Sequence, residues 1–256
     1  MANYDILGNI ALVKYSREMK FKEKKKFALK LLKEHKHISS VLEKSGKFSG
    51  RLRTLKTRFI AGEKTKEVLY KENSCVFRFN MDTCYFSPRL SSERREIASL
   101  VKKGEKVLVL FGGVAPFAIV IAKHSKAQEI VSVELGRECN KYALENVKRN
   151  KCNNVKIIQG DVKRILPKLK EKYNRIVMAR PNLKDSFLGV TFPKIKKLGV
   201  IHYYGFYLED DVLGLKELIE QEAKKAKRKV KILGIKKAGD IGVRKFRYRC
   251  DLEVLN

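Results

Sequence analysis

The sequence predicts a doubly wound α/β fold with a mostly parallel sheet, preceded by a small α+β unit. Two observations carry this. From about residue 104 onward, short runs rich in Val and Ile alternate with helical segments. Before about residue 80, short strands follow one another around a single helix. Strands alternating with helices force parallel pairing, with helices covering both faces of the sheet. Apolar residues make up 44% of the 256, enough for a packed core. The expected units are residues 1–80, a positioning domain, and residues 81–256, the sheet domain.

The elements follow in order. A strand is expected at Ile6–Val13, then a helix from about Lys22 to His35 with Phe27, Leu31 and Leu32 on one face. Short strands are expected at Ser39–Leu42, Arg58–Ala61, Glu67–Tyr70 and Val76–Phe79, with turns at Ser45–Gly46 and Ala61–Gly62. Ser92 is placed to cap a helix running to Val101. Strand Val107–Phe111 leads through Gly112 and Gly113 into helix Pro116–His124, and strand Ile130–Glu134 into helix Glu138–Lys148. Lys156–Gln159 leads through Gly160–Asp161 to a short helix, and Arg175–Met178 and Gly199–Tyr204 continue the sheet. Helix Asp211–Lys225 carries Leu213, Leu215, Leu218 and Ile219, and strands Lys229–Ile235 and Arg247–Val254 close as an antiparallel edge hairpin. This is the Rossmann-like arrangement of a class I methyltransferase.

Charge narrows the partners. Lys and Arg number 58 against 28 acidic residues, a net +30 spread along the chain. Such a field calls for a polyanion, and nucleic acid is the first candidate. A Lys-rich thermophile surface would carry matching Glu, which is missing here. The most apolar stretch, Val107–Ala122, is short for a membrane span and is broken by Gly112, Gly113 and Pro116. No apolar leader follows Met1, so no export is expected. The five cysteines contain no Cys-x-x-Cys pair, which argues against a zinc site and a disulfide framework. A reduced cytoplasm, no metal and a monomer are the expectations.

In an open parallel sheet the ligand sits beyond the carboxyl ends of the strands, near the switch point. Here that is Phe111-Gly112-Gly113-Val114-Ala115-Pro116-Phe117. A dinucleotide site needs Gly-x-Gly-x-x-Gly so that the pyrophosphate rests on a helix N-terminus. This loop lacks it, and Pro116 removes an N–H donor. S-adenosylmethionine has no phosphate to cradle and fits the lack. Glu134, 22 residues after Gly112, is placed for the ribose hydroxyls, with Leu135 beside it. Asp161, followed by Val162, is placed for the adenine amino group.

The segment Tyr85-Phe86-Ser87-Pro88-Arg89-Leu90-Ser91-Ser92-Glu93-Arg94-Arg95 resembles the signature of the archaeal and eukaryotic tRNA (guanine-37-N1)-methyltransferases. Tyr4–Ala11, Ser49-Gly50-Arg51-Leu52-Arg53-Thr54, Ala61-Gly62-Glu63, Lys71–Cys75, Phe111–Phe117 and Ile201-His202-Tyr203-Tyr204 extend the likeness over nearly all of the chain. The likeness starts at the family's second domain, with no counterpart of the small N-terminal domain that many members place ahead of Tyr4. It implies methylation of guanosine N1 at tRNA position 37, with Glu93 as general base and Arg53 stabilising the base during transfer. It places Tyr85 near the methionine end of the cofactor, Pro181 at the pocket, and Arg51, Arg89, Arg94 and Arg180 toward the guanosine or tRNA.

The sequence also departs from that family. Met178-Ala179-Arg180-Pro181 stands where Met-Asn-Leu-Pro is usual, Val109 replaces a common acid of the first strand, and Ala115 replaces the loop's third glycine. These changes keep two alternatives open: a wyosine-pathway enzyme acting at the same nucleoside, or an RNA-binding protein without activity. Aminocarboxypropyl transferases usually have Ser-Pro-Gly-Asn where this chain has Ser-Pro-Arg89-Leu90, which argues against that chemistry.

Overall fold

The computed structural model describes residues 2–46 and 49–256. Strands β1 (Asn3–Leu7) and β2 (Ile10–Lys14), helix α1 (Phe21–Glu34), and strands β3 (Ser40–Lys44) and β4 (Thr57–Gly62) form the N-terminal unit, with sheet order β1-β2-β3-β4. The single strand expected over Ile6–Val13 is two antiparallel strands. Gly8 turns the chain at φ +59°, where a Cβ would lie 2.1 Å from the Leu69 carbonyl oxygen, so only glycine fits. Ala28 and Leu31 of α1 bury against Ala11, Val13, Val41 and Ile60. Ala61 and Gly62 end β4 rather than making a free turn.

Next come β5 (Glu67–Glu72) and β6 (Cys75–Asn80), a two-stranded hairpin, then α2 (Ser91–Leu100) and β7 (Lys106–Leu110). Ser92 does not cap α2, which starts one residue earlier behind Leu90 with no side-chain cap. Helix α3 (Pro116–His124), β8 (Glu129–Glu134), α4 (Arg137–Arg149), β9 (Val155–Gln159) and α5 (Val162–Ile165) follow. The chain ends with β10 (Tyr173–Met178), α6 (Leu188–Thr191), β11 (Ile195–Leu208), α7 (Val212–Lys225), β12 (Val230–Gly242) and β13 (Lys245–Val254). The large sheet runs β12-β13-β11-β10-β7-β8-β9. Strands β11, β10, β7, β8 and β9 are mutually parallel, and β13 and β12 join as an antiparallel edge. The order reverses between β7 and β10, which puts the crevice beyond Leu110 and Met178. Strand β11 is far longer than the expected Gly199–Tyr204, because β13 pairs with it from Gly199–Val254 to Leu208–Lys245.

The hairpin at residues 67–80, expected as part of the first unit, packs on the sheet domain. Val68, Phe77 and Phe79 share one core with Ile97, Val109, Phe117 and Ile121. Its outer strand is completed by side chains. Asn146 Oδ1 accepts from Arg78 N–H (2.7 Å) and its Nδ2 donates to Arg78 O (3.0 Å). One helical turn on, Asn150 repeats the pattern on Val76 at 2.8 and 2.7 Å. Four part-buried backbone groups are thereby satisfied without another strand.

In the loop after β7, Phe111, Gly113 and Ala115 all have positive φ, at 60°, 56° and 67°. Gly112 has no room for a side chain, since a Cβ would lie 2.1 Å from Ser132 Oγ. Ala115 holds the left-handed position as the N-cap of α3 and is fully buried, which costs about 1–2 kcal/mol relative to the right-handed region.

Two consequences are measurable. Asn146→Ala strands a part-buried N–H and C=O of Arg78 and should destabilise by about 3 kcal/mol, lowering Tm by roughly 6–12 °C in a melting experiment. A loss under a degree would mean the hairpin needs no such support. Ala115→Gly relieves the backbone and should raise the denaturation midpoint, by about 0.5–1 kcal/mol after the added chain entropy is discounted. A lowered midpoint would show that the Ala115 methyl packs more favourably than its backbone is strained.

Candidate active site

An open cavity lies over the switch point. Of the expected cofactor residues, Tyr85, Phe111, Gly113, Glu134, Leu135, Asp161, Val162 and Pro181 line it. Arg51, Arg53 and Arg180 line it too. The structure corrects three expectations. Gly112 and Val114 do not face the cavity: Gly112 packs against Ser132, and Val114 is fully buried in the core. Arg94 is not available to tRNA. It is 1% exposed, its Nε and Nη2 clamp Glu72 (2.5 and 2.6 Å), and its guanidinium lies over Phe86 and Phe117. A guanidinium is buried only when paired, and Glu72 supplies the pair.

The acids sit at the strand ends where the pattern put them. Glu134 Oε2 accepts from Gly113 N–H (2.8 Å) and Oε1 from Gly136 N–H (2.7 Å), which fixes the carboxylate at the mouth of β8. Each oxygen keeps a further acceptor site for a vicinal diol. Asp161 caps α5 through Lys163 N–H at 2.8 Å and accepts from Arg51 at 2.5 Å. Burial acts to raise its pKa, and the Lys163 amide and Arg51 outweigh that and hold it below the usual carboxylate value. Two acids at adjacent strand ends, an apolar floor of Phe111, Val133 and Val162, and no phosphate cradle suit an adenosine with an uncharged linkage. Arg53 stacks on the Tyr85 ring at 3.8 Å. Arg180 is 7% exposed and ties down the following loop by donating to the Leu183 and Asp185 carbonyls (2.6 Å to Asp185). Arg89 lines a broader neighbouring cavity shared with Arg51, Arg53, Tyr85 and Pro181.

Glu93 is 7% exposed and sits behind the cavity wall. Tyr204, which lines the cavity, donates to its Oε2 (2.9 Å), as does Arg249 Nη1 (2.9 Å). Lys236 Nζ is 2.9 Å from Oε1. Arg249 also binds Glu96 (2.7 Å) and Asp251 (2.9 Å). Asp251 reaches His202 Nδ1 at 2.6 Å, and Arg175 donates to His202 Nε2 at 2.7 Å. Arginine is donor only, so Nε2 is the acceptor and Nδ1 carries the hydrogen. Burial accordingly lowers the His202 pKa despite Asp251.

The sequence reading missed Tyr204, Arg247, Arg249 and Lys236. Tyr204 stood in a quoted motif without a role. In β13, Arg247, Arg249 and Asp251 alternate with Tyr248, Cys250 and Leu252, which reads as one solvated face and one buried face. Here both faces are buried, because α2 covers the charged one through Glu93 and Glu96.

Comparison with known proteins agrees with this geometry. The TRM5/TYW2 methyltransferase domain family matches residues 68–233, and the TYW2 N-terminal domain family matches residues 1–65. A tRNA (guanine(37)-N(1))-methyltransferase Trm5b of Pyrococcus abyssi is 35% identical over 98% of this chain and 74% of its own. A tRNA (guanine(37)-N(1))/4-demethylwyosine(37)-methyltransferase Taw22 of Nanoarchaeum equitans is 33% identical over 99% of this chain and 100% of its own. The crystal structure of Trm5b from Pyrococcus abyssi superposes with a TM-score of 0.87 at 34% identity, covering 99% of this chain and 75% of that one. The chain belongs to the TRM5/TYW2 methyltransferase family.

Proposed function

We propose that the protein transfers a methyl group from S-adenosylmethionine to N1 of guanosine at position 37 of tRNA. The observation that carries this is one cavity joining adenosine-suited acids to a guanidinium pair. Glu134, Asp161, Arg53 and Arg247 all line it, and Arg53 stacks on Tyr85, which lines it too. When bound, the cofactor supplies an electrophilic methyl on a positively charged sulfur. The remaining work falls to this chain's residues. Glu134 and Asp161 fix the nucleoside by its hydroxyls and amino group. The four arginines lining the cavity outnumber its two acids and favour a polyanionic partner.

Guanine N1 holds a proton at neutral pH, so a base must take it as the methyl arrives. We assign that role to Glu93, which stands one hydrogen bond behind the cavity-lining Tyr204. Tyr204 and Arg249 occupy Oε2 and Lys236 one site on Oε1, which leaves one acceptor position for an incoming N1–H. Loss of that proton moves negative charge to O6, and we assign its stabilisation to the cavity-lining Arg53 guanidinium, stacked on Tyr85. The nucleophile is the base itself, so positioning supplies much of the acceleration.

A second reading is favoured by Ala179. It lines the cavity with a methyl group, which takes less room than the asparagine side chain usual at this position in the family and so suits a larger base. The 4-demethylwyosine nucleoside, acted on by a relative as its name records, is such a base.

Nucleoside mass spectrometry of unmodified tRNA incubated with protein and S-adenosylmethionine should show 1-methylguanosine at position 37. Glu93→Gln and Arg53→Ala should each reduce the yield by about a hundredfold or more. Product formed only on tRNA carrying the tricyclic base would select the second reading, and no product on either would overturn both. Tyr204→Phe removes one donor to Glu93 while keeping the ring. It should lower kcat roughly tenfold with KM little changed, measured by steady-state kinetics. An unchanged kcat would remove Tyr204 from the machinery.

A further inference from the structure

The N-terminal unit reaches into the cofactor cavity through one tight loop. Ser49 and Thr54 exchange both backbone N–H···O bonds at 3.0 Å, and Arg53 N–H donates to Gly50 O at 3.1 Å. Arg53 itself sits at φ 53°. A loop closed this way moves as one piece, so whatever holds Arg51 also sets Arg53. Arg51 Nη2 is held by Asp161 Oδ2 at 2.5 Å, across 110 residues of sequence. Asp161 cannot swing to follow it, because Oδ1 is fixed by Lys163 N–H at 2.8 Å at the start of α5. On the other side of the same loop, Arg53 lies 3.8 Å over Tyr85. Arg51, Leu52 and Arg53 line the cavity together with Glu134 and Asp161.

We propose that Arg51 is a latch. Its ion pair with Asp161 closes the loop over the adenine end of the cavity, so that retention of the cofactor and placement of Arg53 at the guanosine become one event. This rests on the methyltransferase reading above. A molecule lying between loop and sheet cannot leave until the pair opens. The Arg51 side chain is 50% exposed and that of Asp161 17%, so the pair is screened and weak enough to open during turnover. tRNA gripping Arg53 holds the loop down and slows cofactor release, and by linkage the cofactor tightens tRNA binding equally. Arg51 is thus a positioning residue acting through the loop, distinct from a guanidinium that only meets a phosphate.

The test uses the full chain and radiolabelled S-adenosylhomocysteine, the demethylated product, in a pulse-chase with and without an unmodified tRNA transcript. Without RNA, Arg51→Gln should release the ligand about fivefold faster than the wild type, the scale of one part-exposed ion pair. Arg51→Lys should restore most of the retention. Added tRNA should slow release from the wild type and have no such effect on Arg51→Gln. Release from Arg51→Gln that matches the wild type without RNA would overturn the latch and leave Arg51 a phosphate contact. Slower release would overturn it too, by showing that Arg51 competes with adenine for Asp161. A wild type that binds no ligand would sink the methyltransferase reading itself, whereas bound ligand with unchanged release sinks the latch alone.

Discussion

Two asparagine side chains, Asn146 of α4 and Asn150 at its C-terminal cap, hold the hairpin and the sheet domain in register. Asn146 and Asn150 present amides to β6 as a neighbouring strand would, and both are buried. A sheet edge pressed against a helix would otherwise bury N–H and C=O groups that a helix backbone cannot serve. Asn146 also donates to Val114 O in the cofactor loop, at 3.3 Å. One side chain therefore ties together the hairpin, the helix that follows β8, and the loop that follows β7. The segment leading from β6 to Tyr85 inherits its position from this bracket. The two units also meet through Asn9, whose amide holds Leu69 N–H (2.7 Å) and Glu67 O (3.2 Å) of the hairpin.

The second constraint is electrostatic. Burying a carboxylate such as Glu93 is expensive unless cations and donors replace its water. The replacement comes from β13, β12 and β11 together, as Arg249, Lys236 and Tyr204. Arg249 is in turn shared with Glu96 and Asp251, so charge is balanced over the cluster rather than within one pair. A carboxylate held this way is fixed in direction by partners from three strands. The exposed end of the cluster is the Lys236–Glu96 pair, each side chain 40% exposed.

Most of the fold was legible because period and punctuation agree over residues 104–256. Pro116 at the first turn of α3, Glu134 at the end of β8 and Asp161 at the cap of α5 all stand where alternation puts them. What misled was local chemistry overruled by distant partners. Ser92 looks like a cap, but Ser91 takes the helix start and its hydroxyl serves the Asn73 amide instead. Arg94 looks like a surface cation, but Glu72 waits for it in the core. The roles of Tyr204, Arg247 and Arg249 were illegible because strand alternation shows that two faces differ without telling what covers each. Val109, by contrast, was visible as a departure, and it packs in the core at 1% exposure.

The long ladder between β11 and β13 makes chain length, more than residue identity, the inherited quantity in this region. Along β13 the odd positions Arg247, Arg249 and Asp251 serve the charged side, and Tyr248, Cys250 and Leu252 serve the apolar core. Adding one residue between them would exchange the two sets, sending guanidinium groups into the core. Adding two would restore parity yet carry Arg249 about 7 Å along the strand from Glu93. Substitution leaves this parity intact, whereas an inserted residue has to be absorbed by a register irregularity of the kind already present where β12 pairs with β13. The freedom to gain or lose residues is left to the far turn at Val243, which is 92% exposed.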